Sequence, residues 1–294
     1  MTRGWSRLRR HHLARASLVF LAIIMVLSLA APLIAELRGV DPTQTDLFRR
    51  FEPPSAAYWL GTDDVGRDLF QRLLDGGRVS LLVGLAGALL SGLLGALIGV
   101  AAGYLGGRLD AFLMRFTDGV IALPLLPLLI VVAAVDPRKL GVPAELAQSE
   151  AFSLYRIVVI IALTGWTTVA RLVRAETLSL KARDFTRAAK ALGAQPVRIM
   201  LRHILPNTAG SLIVATTISM GTLILLESTL SFLGLGIQPP AASWGNMLTG
   251  AQELLQEAPV LALWPGLLIF LTVIAFNFLG DGLQDALDPR SERR

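Results

Sequence analysis

Residues 183–207 read RDFTRAAKALGAQPVRIMLRHILPN. The stretch is basic, carries helical periodicity, and lies between two long apolar segments. Phe185, Ala188, Ala189 and Leu192 fall at i, i+3, i+4 and i+7, which is one face of a two-turn helix. Two of the four are alanines, so another surface can approach closely. Arg187 and Lys190 occupy other faces. Gly193 is placed to stop this helix in a left-handed conformation, and Pro196 suits the first turn of a second one. Val197, Met200, Leu201 and Ile204 give the second helix an apolar face, and Pro206 is expected to help end it. A short helix, a hinge and a second short helix form a knob that suits a groove on a soluble partner. The competing reading is a basic amphipathic helix resting on anionic lipid.

The segments around this stretch set the fold class. The chain has 294 residues, 53% hydrophobic and 17% charged, with a mean hydropathy of +0.60. A soluble domain carries about a quarter charged residues. Spanning ~30 Å of hydrocarbon takes roughly 20 helical residues. Six segments meet that requirement, at 16–36, 79–103, 112–135, 155–175, 208–232 and 260–281. The expected fold is all-α, a polytopic membrane protein with about six transmembrane helices.

Charge distribution orients the spans. Arg3, Arg7, Arg9, Arg10 and Arg15 precede the first span, with no acid among them. The connection 176–207 is strongly basic, whereas 233–259 holds Glu253 and Glu257 and no Lys or Arg. The positive-inside bias therefore places both termini and the 176–207 loop in the cytoplasm. Span parity agrees. The parts are then a basic cytoplasmic arm (1–15), a first transmembrane helix (16–36), an external connection with an interfacial helix (37–78), a transmembrane core (79–283) that includes the 176–207 loop, and a cytoplasmic tail (284–294). The first span is expected to stay uncleaved, because it is longer than a signal core and lacks a small-residue cleavage site.

Within 37–78, Thr62 or Asp63 is expected to cap a helix that Gly76 and Gly77 terminate. Gly95, Gly99 and Gly103 recur every four residues, with Gly84, Ala88 and Gly92 as a second row. Such rows let helix backbones approach closely in lipid. Pro124 and Pro127 are expected to break or kink the third span, and Asp118 to pair with Arg115. Glu227 is an acid inside the fifth span, a candidate for lining a pathway or for sitting at the outer interface.

Several function classes are disfavoured. With no cysteine, thiolate metal sites and cysteine nucleophiles are excluded. The three histidines, His11, His12 and His203, form no H-E-x-x-H, and no G-x-S-x-G or metal-ligand cluster occurs. Only three lysines are present, none after a glycine, so no Walker A phosphate loop exists in this chain. A stand-alone secondary transporter would call for coupling charges near the mid-plane, which are scarce. A purely structural scaffold sits poorly with the prolines, glycines and acid within spans.

Ala188-Ala189, Gly193 and Leu205-Pro206 resemble the EAA loop of ABC importer permeases. Arg187 stands where that loop usually has glutamate, and His203 where isoleucine is usual. The arginine variant is similar to the dipeptide, oligopeptide and nickel branch. LGTDDVGRDLFQRLL (60–74), GRVSLLVG (77–84), AGYLGGRLDAFLMR (102–115), RHILPN (202–207), ESTLSFLGLGIQPP (227–240), SWGNML (243–248) and FLGDGLQDALDPR (278–290) extend the resemblance to the DppC/OppC-type permeases of that branch. The resemblance implies the type I importer permease fold in a bacterial or archaeal cell membrane. It implies a second homologous permease, two cytoplasmic ABC ATPases and an extracytoplasmic solute-binding protein as partners. It also implies no enzyme activity and no cofactor in this chain, ATP and Mg being bound by the ATPases. Asp184, Phe185, Arg187, Ala188, Ala189, Leu192, Gly193, Leu205 and Pro206 are then the ATPase-docking residues, with di- or oligopeptides as the expected solute.

Overall fold

Helix α1 (His12–Leu29) stops at Ala30, because Pro32 has no N–H and its ring clashes with the carbonyl four residues back. The chain resumes as α2 (Ala31–Arg38) and ends at Gly39, which is left-handed at φ 64°. The expected single first span is therefore two helices. The computed structural model describes residues 11–147, 149–249 and 254–287. Most of the basic arm, Glu253, and the tail from 288 lie outside the described residues.

The connection 40–68 carries no interfacial helix of the expected kind. It is held by carboxylates. Asp63 accepts from the amides of Val65 and Arg67 and from Arg67 Nε at 2.7 Å. Asp68 takes Arg38 at 2.6 Å and caps α3 by accepting from the Gln71 amide at 2.9 Å. The Arg38 guanidinium also lies over the Trp59 ring, 4.7 Å from its centroid. The cap is Asp68, not Thr62 or Asp63. Helix α3 (Leu69–Leu105) then runs unbroken for 37 residues through Gly76 and Gly77. Those glycines do not end a helix. They are buried against Trp244, whose ring carbon Cζ2 lies 2.9 Å from where a Cβ on Gly77 would sit.

Beyond α3 come α4 (Gly107–Ala122) and α5 (Leu125–Ala134), bent by 88° at Pro124. Helices α6 (Glu150–Lys181), α7 (Asp184–Ala191), α8 (Pro196–Phe232) and α9 (Val260–Leu287) complete the order. Among the described residues, five helices are long and apolar enough to cross a membrane, or six with α4 and α5 as one broken span.

Helix α8 corrects one expectation. Pro206 does not end a second short helix. The chain passes from Pro196 through a π-helical turn (Met200–Ile204) directly into the fifth span. The Leu205 amide reaches back to the Met200 carbonyl, and this wider turn makes room for the proline ring.

Helix α3 is the central post, and its two glycine rows face different partners. A Cβ on Gly95 would lie 2.7 Å from the Trp166 carbonyl, on Gly99 2.6 Å from that of Ala170, and on Gly103 2.9 Å from that of Arg174. This row is the α3–α6 seam. On the second row, Gly84 meets Ile224 and Gly92 meets Thr216, both on α8. Only a residue without a side chain permits backbones this close. The core is built around that post. One cluster joins α3, α5, α6 and α8 through Val83, Leu129, Ile161 and Leu230, and another joins α1, α3, α8 and α9 around Trp244. Leu89, Leu93, Phe112 and Phe270 point outward, as lipid-facing or subunit-facing residues do.

Candidate functional site

The stretch 183–207 sits where the C-terminal ends of α3 and α6 meet the start of α8. Helix α7 carries Asp184 in its first turn, where the helix dipole favours a carboxylate. Its other end is closed by a Schellman motif. The Gly193 amide donates to the Lys190 carbonyl at 3.0 Å and the Ala194 amide to that of Ala189 at 3.1 Å. Gly193 stands at φ 80° with nothing within 4 Å of an added Cβ. Backbone conformation, not crowding, asks for glycine there.

The inward face of α7 is rotated from the one the periodicity selects. Thr186 is buried and its hydroxyl donates to the Leu180 carbonyl at 2.8 Å. Ala189 and Ala194 pack on a cluster made by Val100, Val173, Ile199 and Ile204. Phe185, Ala188, Leu192, Arg187 and Asp184 point away from the chain, with Leu192 88% exposed. Leu205 packs inward on the same cluster, and Pro206 is exposed on the long helix. Of the second apolar face, Met200 and Ile204 turn in while Val197 and Leu201 turn out. The structure thus brings Phe185, Ala188 and Leu192 to one free surface and leaves Leu205 out of it. Thr186 and Ile199 hold the knob in place and were not singled out by pattern. Thr186 lies three residues before Ala189, which is the signal that was there to find.

Basic residues that report topology also brace this end. Arg174 makes a two-point contact with Asp110 at 2.5 and 2.7 Å. Lys181 donates to the Tyr104 carbonyl at 2.6 Å. Asp118 pairs with Arg171, not with Arg115 as expected. Arg171 reaches it from α6, and the ion pair ties α4 to α6.

The opposite end of the bundle holds Glu227. It is fully buried and not at an exposed interface. Ser80 donates to one carboxylate oxygen at 3.1 Å and Ser231 to the other at 2.7 Å. Ser80 in turn accepts from the Trp244 amide at 3.2 Å, and Trp244 Nε1 donates to the Leu73 carbonyl at 2.9 Å. Asn246 donates to the carbonyls of Ile237 and Ala241. The segment after α8 is thereby folded onto α3 and α8. Ser80 and Trp244 were not identified by pattern. The tight spacing of Gly76 and Gly77 was visible, but reads equally as a helix stop. No group of three or more His, Asp or Glu residues arranged to hold a metal occurs among the described residues.

Comparisons with known proteins match this architecture. The family described as binding-protein-dependent transport system inner membrane component matches residues 95–293, and the N-terminal TM domain of oligopeptide transport permease C matches residues 1–54. The oligopeptide transport system permease protein OppC of Bacillus subtilis is 37% identical over 97% of this chain and 88% of its own length. The dipeptide transport system permease protein DppC of the same organism is 40% identical over 99% and 86%. The glutathione transport system permease protein GsiD of Escherichia coli O157:H7 is 40% identical over 97% and 89%.

Proposed function

The chain belongs to the binding-protein-dependent transport system inner membrane components, and on that premise we propose that it moves di- or oligopeptides inward, with α7 as the contact through which ATPase subunits drive it. It is a multi-pass cell-membrane protein and a permease subunit, not a catalytic one. In this reading the α7 end faces the cytoplasm and the Glu227 end faces outward. A second, homologous permease completes the pathway. Two ATPases bind ATP and Mg, and a solute-binding protein delivers the peptide from outside.

One observation carries the docking assignment. The face of α7 made by Phe185, Ala188 and Leu192 is apolar yet turned away from its own core. The helix behind it is pinned by Thr186, Ala189 and the Schellman turn to the ends of α3, α6 and α8. A push on α7 therefore reaches three spans at once. Glu227 has a different role in this reading. With its oxygens held by serines of α3 and α8, it anchors the outer segment and does not line the pathway.

The test is co-purification from detergent with the ATPases encoded beside this chain. Wild type is compared with Gly193→Pro and Ala188→Trp. The ATPases should follow the wild type and be lost from both variants, with membrane insertion unchanged. Equal recovery with the variants would place the docking surface elsewhere.

A further inference from the structure

The span formed by α4 and α5 breaks at membrane depth. Helix α4 starts at Gly107, at the α7 end of the bundle, and runs 16 residues before the 88° bend. At 1.5 Å per residue the bend lies about 24 Å from that end, within the bilayer. Pro124 offers no amide, and the Leu123 amide closes the helix on the Val120 carbonyl at 3.3 Å. The last carbonyls of α4 therefore have no helical partner. Residues 121–127 are all exposed. Irregular backbone at this depth is tolerated only where protein covers it or water reaches it. A charged row leads up to the bend. Ala111, Arg115, Asp118 and Ala122 fall at i, i+4, i+7 and i+11 of α4, and all four are exposed. Asp118 and its partner Arg171 are 58% and 51% exposed. Arg171 follows Val169 and Ala170, which meet Gly95 and Gly99 within the apolar run of α3. The ion pair thus sits at span depth and faces away from its own chain. Phe116 stacks on Trp166, with centroids 6.0 Å apart, and Thr117 is buried, so the orientation of α4 is fixed. The free face of α1 has the opposite character. Val19, Ile23 and Val26 are each more than half exposed there, and none is polar.

Charged side chains within spans face a bundle interior or water, not lipid. We propose that Ala111, Arg115, Asp118 and Ala122, with the bend above them, line the aqueous path that the peptide takes. Two independent features converge on this face, an unfinished backbone and an outward ion pair. The proposal rests on the peptide-importer reading above and adds which side of this chain the path follows. Water and the N–H groups of a passing peptide satisfy the free carbonyls of α4, whatever side chains the peptide carries. The lining is also tied to the docking helix. Thr186 of α7 holds the Leu180 carbonyl of α6, and Arg171 stands on that same helix. A push on α7 therefore reaches the lining along one rigid element.

The chain has no cysteine, so a single introduced thiol reports its own surroundings. Ala122→Cys, Gly119→Cys and Ile23→Cys are each built into the complete complex, with binding protein and ATPases, in phospholipid vesicles. Gly119 lies beside the charged row, and nothing stands within 4 Å of its added Cβ. Ile23 is the control, on the apolar free face of α1. The charged reagent methanethiosulfonate ethyltrimethylammonium is supplied on both sides, and its attachment is read as a mass increase of this chain. A thiol in hydrocarbon stays protonated and unreactive, so Ala122→Cys and Gly119→Cys should react at least about tenfold faster than Ile23→Cys. Their modification should also block ATP-driven uptake of tritiated dialanine. Uptake before labelling checks that each variant assembles. Rates at both positions as slow as at Ile23→Cys would overturn the assignment and leave the importer reading standing, with lipid or the second permease covering this face. Fast modification without loss of uptake would also overturn it, because the path would run elsewhere. No ATP-driven peptide uptake by the wild type would overturn the importer reading, and this proposal with it.

Discussion

Replacing Gly99 by alanine adds one methyl group at the tightest part of the α3–α6 seam. That carbon would lie 2.6 Å from the Ala170 carbonyl oxygen and 2.9 Å from Val173 Cβ. The first contact is about 0.8 Å short of ordinary van der Waals separation. The neighbour is backbone, so no rotamer change relieves it and the two helices must part. Overpacking of this kind costs about 1–3 kcal/mol, and a backbone clash sits at the upper end. Alanine returns about 1 kcal/mol through helix propensity. The net loss is therefore about 2 kcal/mol, or roughly 4–8 °C in melting temperature for a chain of this size. Gly119 on α4 is the control, because nothing lies within 4 Å of its added Cβ. Gly119→Ala should be neutral or stabilising by up to about 1 kcal/mol. The assay is thermal unfolding in detergent followed by tryptophan emission, with Trp166 at the seam as a reporter. Opposite signs for the two substitutions are expected. If Gly99→Ala melts at or above the wild type, as Gly119→Ala does, the glycine row is not what sets the helix spacing.

Three further outcomes follow from the same geometry. Leu192→Asp should leave melting within about 0.5 kcal/mol of wild type, because the side chain is 88% exposed; ATPase co-purification should nevertheless drop more than tenfold, and a fall in melting instead would mean Leu192 packs inside. Trp244→Ala should cost about 3–5 kcal/mol, and Ser80→Ala about 1–3 kcal/mol through the lost donor to Glu227; limited proteolysis of 233–249 reads both, and a segment as resistant as wild type contradicts the anchor. Asp41 is held below its usual value of 3.8 by the Thr43 hydroxyl and then the Thr43 amide. A depressed carboxylate stabilises its turn above the unfolded value and loses that contribution as pH falls through the lower folded one. Hydrogen exchange at the Thr43 amide, corrected for its intrinsic rate, should therefore stay slow at pH 5 and speed only below about pH 3.8; opening already between pH 7 and 5 would refute it.

The amino-acid order alone determined the membrane class, the break at Pro124 and the left-handed stop at Gly193. Each rests on a local rule: twenty apolar residues, a missing N–H, or an absent Cβ. The glycine rows were legible as close-packing surfaces for the same reason. What the order left open was which neighbour each surface meets. Phe185, Ala188 and Leu192 form an apolar stripe in either case, and only packing shows that Thr186 and Ala189 face inward while the stripe faces out. Gly76-Gly77 has the composition of a helix stop. It becomes a slot only because Trp244, far along the chain, needs a flat surface. Asp118 has a cation three residues away, yet pairs with Arg171 across a helix gap. Glu227 reads from the order as a pathway or interface acid, and only packing shows that Ser80 and Ser231 surround it. In each case the deciding partner lies on another element, and a one-dimensional pattern carries no information about which faces a fold presses together.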